Sequence, residues 1–84
     1  MSPLEPQNPV IGKTIKSLRE EAGLTQEELA HASGLNTSEI SNLERGRRNP
    51  RWETMKRLAN GLRVSCADMV ARAERFEQEE LEPE

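Results

Sequence analysis

Cys66 and His31 are the groups in this sequence that could serve a nucleophile and its base. An enzyme of that kind, or a metal centre, needs companions at suitable spacing, and neither residue has one. No catalytic residue, metal ligand or cofactor is therefore assigned, and the chain is expected to be no enzyme. Cys66 follows Ser65 at the start of the last expected helix, where a helix dipole could lower a thiol pKa and make a redox sensor. A small apolar cysteine beside the cap is the simpler reading, and His31 reads as an exposed helix residue. The denser chemistry is positive charge. Arg45, Arg47, Arg48, Arg51, Lys56 and Arg57 face only Glu44 and Glu53 between Leu43 and Arg57, a local charge of +4 in a chain of net −3. From Glu74 to Glu84 six Glu oppose Arg75, so that end carries −5 and the remainder +2. A basic segment of this kind has the charge to neutralise phosphates, and the acidity belongs largely to one end.

Those residues need a scaffold, and 84 residues suffice for one small domain. With one Trp, one Phe and no Tyr, the core must come from Leu, Ile, Val, Ala and Met at helical spacing, which implies an all-α fold. A lone cysteine excludes an internal disulfide, and the first residues lack the pattern of a signal peptide. No apolar run approaches the roughly 20 residues that span a bilayer. A soluble, cytoplasmic protein without a membrane partner is expected.

Residues 1–8 read as a flexible arm, 9–73 as the folded domain, and 74–84 as an acidic tail that partly extends the last helix. Asn8 before Pro9 offers a cap and a first helical residue, and Ile11, Ile15, Leu18 and Ala22 lie on one helical face before Gly23. Thr25 with Glu28, Asn36 with Glu39, and Ser65 with Asp68 have capping spacing and open three further helices. The second carries Leu29 and Ala30 and breaks at Gly34; the third carries Ile40 and Leu43 and closes at Gly46. Asn49-Pro50 interrupts helix. Trp52, Met55, Ala59 and Leu62, with Leu58 beside them, give a fourth stripe. Met69, Val70, Ala73 and Phe76 give a fifth, expected to run to about Gln78. The two short helices joined through Gly34 form a tight unit in which Ala30 and Gly34 are expected to permit close approach.

The text L-T-Q-E-E-L-A from Leu24, S-G-L from Ser33, I-S-N-L-E-R-G from Ile40 and R-N-P from Arg48 resembles the lambda repressor and Cro (XRE-type) helix-turn-helix family over about residues 10–72. The resemblance implies a compact five-helix, lambda-repressor-like DNA-binding domain whose third helix enters the major groove while the second crosses the backbone. It implies base reading by Thr37, Ser38 and Asn42, for which an Asn–adenine pair and a Thr–thymine methyl contact are available. Gln26 would hold a phosphate at the start of the second helix, and Arg45, Arg47 and, more weakly, Arg48 would meet flanking phosphates. Arg51 would turn toward the minor groove, which a narrow A-tract favours. Arg19 and Glu44 correspond to an ion pair that ties the first helix to the end of the third. Glu39 is either the reciprocal cap of Asn36 or an acceptor for cytosine N4. The readers are short and uncharged, so DNA shape would supply much of the specificity. At Arg63 the family usually has glycine; with Gly61 two positions earlier, either the helix ends sooner or Arg63 bears strain.

The implied function is a sequence-specific, double-stranded DNA-binding transcriptional regulator, a repressor of bacterial or phage type associated with the nucleoid. Binding a palindromic operator calls for a homodimer, with Leu62, Met69, Val70, Ala73 and Phe76 either forming that contact or packing within the chain. The alternative is an antitoxin or other protein-interaction module on the same fold, with the segment Ala71 to Leu81 ordering on a protein partner. The polar and basic face carried by Gln26, Asn42, Arg45 and Arg47 has no purpose in a module of that kind alone.

Overall fold

Reciprocal caps open three helices of the computed structural model, which describes residues 9–81 and side chains as far as Glu79. Thr25 Oγ1 accepts from the Glu28 N–H at 3.0 Å while Glu28 Oε1 accepts from the Thr25 N–H at 2.9 Å, starting α2, Gln26–Ser33. Asn36 and Glu39 exchange the same bonds at 2.8 and 3.1 Å and start α3, Thr37–Glu44. Ser65 and Asp68 do so at 2.9 and 3.2 Å ahead of α5, Cys66–Leu81. The remaining helices are α1, Pro9–Glu21, and α4, Trp52–Leu62. The cap expected at Asn8 and the arm 1–8 lie outside the described residues, which contain no strand.

The first four helices also end alike, in paired bonds that return the chain to the last turn's carbonyls. Gly23 and Leu24 donate to Glu20 and Arg19, and Gly34 and Leu35 to His31 and Ala30. Gly46 and Arg47 donate to Leu43 and Asn42, and Arg63 and Val64 to Asn60 and Ala59. Each ending needs one residue with positive φ. Glycine supplies it three times, whereas Arg63 sits at φ 60° and ψ 41°. The helix does not end sooner at Gly61; Arg63 takes the left-handed position itself.

Ile15, Leu29, Ile40, Leu58 and Met69 are fully buried, at least one from each helix. α1 packs on both α3 and α5, and α2 on α3 and α4. A helix covered on two sides needs a wide buried surface, which is why Val10, Gly12 and Thr14 join Ile15 and Leu18 inside, Thr14 Oγ1 donating to the Val10 carbonyl at 2.7 Å. Ala22, expected on that face, lies exposed beyond the helix. Gly61 brings α4 against the end of α2, where an added Cβ would stand 3.1 Å from Ser33.

Other expectations need correction. Trp52 is 64% exposed: it begins α4 and lies at the edge of the stripe formed by Met55, Leu58, Ala59 and Leu62, under the Lys56 ammonium at 6.0 Å. Val70 is 45% exposed because it lies to the side of Met69 and Ala73 on α5. Leu62, Met69 and Ala73 are buried within the chain, so the five-residue surface considered for dimer contact is largely consumed by the core. α5 continues to Leu81 rather than about Gln78, since its second half contains good helix formers and no breaker before Pro83. Arg72 fastens α5 to α1 through Ser17 Oγ at 2.9 Å and both Glu21 carboxylate oxygens at 2.6 and 3.1 Å. The Arg72 hydrogen bonds hold the Glu21 carboxyl below its ordinary range.

Replacing Arg63 with glycine removes a left-handed Cβ worth roughly 1–2 kcal/mol, partly offset by about 0.5–1 kcal/mol of added unfolded-chain entropy. Arg63→Gly is expected to stabilise the fold by about 0.5–1 kcal/mol, read from urea denaturation. A loss of stability would show that Arg63 makes contacts that outweigh the strain.

Candidate nucleic-acid interface

One carboxylate fixes the orientation of α3. Glu44, whose side chain is only 4% exposed, accepts from Arg19 Nε at 2.7 Å and Nη2 at 3.1 Å, and from Gln26 Nε2 at 3.0 Å. Arg19 Nη1 also donates to the Leu24 carbonyl at 2.8 Å, so the guanidinium binds the α1–α2 turn and the end of α3 together. The bond to Glu44 raises the Arg19 pKa further, and the group stays charged at any working pH. With one partner lost, the other would remain as a costly unpaired charge.

The backbones meet closely beside this pair. A Cβ on Gly12 would overlap the Leu43 carbonyl oxygen and lie 2.6 Å from that of Glu44, so α1 can cross the end of α3 only with no side chain there. The sequence points to Ala30 and Gly34 for a close approach. Ala30 is indeed buried, but Gly34 is exposed at φ +72°, and the nearest atom to its missing Cβ is an Arg57 nitrogen at 3.3 Å. Gly34 is required for its backbone angle, not for space. A Gly inside a helix that otherwise reads as uninterrupted was the available signal for Gly12.

Ile40 and Leu43 hold one side of α3 in the core, leaving Thr37 and Ser38 exposed and Ser41 and Asn42 half-buried. The helix register puts Ser38 and Asn42 on a common outer face. Glu39 is spent on the Asn36 cap and borders a shallow cleft of about 220 Å³ with Leu43, Arg48, Asn49, Pro50, Arg51 and Thr54. Arg45, Arg47, Arg48 and Arg51 are all exposed, Arg45 at the end of α3 and the others along the loop to α4. Gln26 is half-buried; one amide hydrogen goes to Glu44, leaving the other available. The N–H groups of Gln26 and Glu27 lack intrahelical acceptors, as in any first turn, although Glu27 and Glu28 place negative charge nearby.

The two residues considered for catalysis are apart from this face. Cys66 is half-buried against the core at the start of α5, and His31 is exposed on α2. Among the described residues no three His, Cys, Asp or Glu side chains are grouped as metal ligands, and no helix is long and apolar enough to cross a membrane.

Gly12→Ala would favour an unobstructed helix by about 1 kcal/mol. Here overpacking should reverse the sign and destabilise the domain by roughly 1–3 kcal/mol in chemical denaturation. A gain in stability would mean that α1 and α3 can separate at no cost.

Residues 15–69 match the helix-turn-helix family model. An uncharacterised HTH-type transcriptional regulator of Sinorhizobium fredii, y4dJ, is 46% identical over 61 residues, which cover 73% of this chain and 79% of that protein. The immunity repressor protein of Bacillus phage phi105 is 32% identical over 86% of this chain, which spans half of the repressor's length. Among solved structures, the clp gene regulator ClgR from Corynebacterium glutamicum superposes with a TM-score of 0.78 at 30% identity, covering 87% of this chain and 95% of that one. The interlock of Arg19, Gln26 and Glu44 thus lies within the matched residues, and the chain belongs to the XRE-type helix-turn-helix family of transcriptional regulators.

Proposed function

We propose that this protein regulates transcription by binding double-stranded DNA, acting as a repressor with α3 in the major groove. The observation that carries the reading is a short helix held to the core by Ile40, Leu43 and Glu44, with an opposite face that is polar and open. Thr37, Ser38 and Asn42 meet base edges; Arg47 and Arg48 meet phosphates at the end of α3, Gln26 meets one at the start of α2, and Arg51 reaches the minor groove. Arg19, Glu44 and Gly34 keep the unit in shape. The protein acts in the cytoplasm on nucleoid DNA.

One α3 reads one half-site. Two copies joined by a two-fold axis would place two such helices about one DNA turn apart, so we infer a homodimer. With Leu62, Met69 and Ala73 committed to the core, Val70 is the exposed member of that five-residue surface and Phe76 a half-buried one. Sedimentation at micromolar concentration is expected to give the mass of two chains; a single-chain mass would overturn the dimer without touching the DNA reading.

A duplex from the region upstream of the protein's own gene provides the test of DNA binding. Affinity should fall steeply with salt, with a log–log slope of about −0.9 per neutralised phosphate. Arg47→Ala should weaken specific and random duplexes alike and reduce the salt slope by about 1, whereas Asn42→Ala should chiefly reduce discrimination between them. Absence of binding at low salt would sink the proposal, and exchanged behaviour of the two variants would reverse their roles.

A further inference from the structure

Arg45 shares the outer face of α3 rather than belonging with the loop arginines that follow it. Its backbone remains helical, at φ −81° and ψ −2°, and its N–H donates to the Ser41 carbonyl at 3.0 Å. Ser38, Asn42 and Arg45 are therefore separated by four and three residues on one continuous helical face. The break comes one residue later: Gly46 takes φ +76° and the Arg47 N–H turns back to the Asn42 carbonyl, carrying Arg47 off the helix axis. The preceding residue, Glu44, points its carboxylate inward to Arg19 and Gln26. Among the described residues the exposed Arg45 side chain has no hydrogen bond or ion pair.

We propose that Arg45 is a specificity-determining residue that reads a guanine in the major groove, a reading that rests on α3 lying in that groove. Ser38 and Arg45 are seven residue steps apart, roughly 10 Å along the helix, or about three base-pair steps at roughly 3.4 Å each. A helix that enters a groove by its N-terminus lifts away from the bases toward its C-terminus. The side chains along this face lengthen in the same direction, from Ser38 through Asn42 to Arg45, so each has reach where the helix stands further off. The guanidinium fork matches guanine O6 and N7, and a lysine in its place would keep the charge and could still donate to both acceptors, but without the fixed planar fork.

The test selects binding sites from a random duplex library with the full chain, then replaces each guanine of the selected site in turn with 7-deazaguanine. One guanine outside the base pairs sensitive to Ser38→Ala and Asn42→Ala should weaken wild-type binding roughly 10-fold or more on replacement. Arg45→Ala should lose the preference for guanine at that position and become insensitive to the deaza base, while retaining the other preferences; Arg45→Lys should keep a weakened preference for guanine. Arg45→Ala that weakens every duplex equally, with the salt slope reduced by about 1, would make Arg45 a phosphate contact and overturn the assignment. Failure of the wild type to enrich any duplex would overturn the DNA reading beneath it, a result separate from either variant pattern. Arg45 is exposed, so both variants should melt with the wild type; a lowered melting temperature would mark Arg45 as structural and overturn the assignment as well.

Discussion

The Glu44 carboxylate is the constraint on which the arrangement depends. It is withdrawn from water at the end of α3 and tied to α1 through Arg19 and to α2 through Gln26. A hydrophobic contact would hold α3 near the core but allow it to rotate, because apolar packing has little directionality. A two-pronged guanidinium bond with an amide on the same carboxylate sets direction as well as distance. Gly12 works with this bond, since the absence of its side chain lets the backbone of α1 come close enough for Arg19 to reach. The cost of desolvating the pair makes it a device for orientation more than for stability.

Gln26 gives that device a connection to the outside. In the sequence it stood as a phosphate ligand; in the folded chain the same amide is bonded to Glu44. These uses are compatible, because an amide nitrogen carries two hydrogens. A phosphate held at the start of α2 would share a side chain with the carboxylate that orients α3. Backbone contact and the angle of the reading helix would then be set together, through a single hydrogen-bonded chain.

What could be read from the sequence was local. Capping pairs at Thr25 and Glu28, Asn36 and Glu39, and Ser65 and Asp68 depend on residues three apart, and all three form as reciprocal bonds. The stripes of α2 and α3 were legible for the same reason. The failures are at positions decided by which helix lies opposite. Trp52 had the type of a core residue but began its helix at the edge of the buried stripe, and Val70 lay beside Met69 rather than on its face. Gly12 was assigned no role from the sequence, because the carbonyl it accommodates belongs to Leu43, distant in the chain. At the site, residue types pointed to the basic and polar groups, but whether Arg45 belongs with α3 or with the loop depends on its backbone angles.

The net charge of −3 also acquires a different meaning once the acids are located. Glu44 is neutralised by Arg19 and Glu21 is clasped by Arg72, while Glu28, Glu39 and Asp68 spend carboxylate oxygens on backbone N–H groups. Glu74, Glu77 and Glu79 lie exposed in the second half of α5, and Glu27 and Glu28 are exposed at the start of α2. Beyond about 8 Å at physiological salt such charges contribute little to the field at another surface. Arg45, Arg47, Arg48 and Arg51 are all exposed at and just beyond the end of α3, so an acidic chain can present a basic face there.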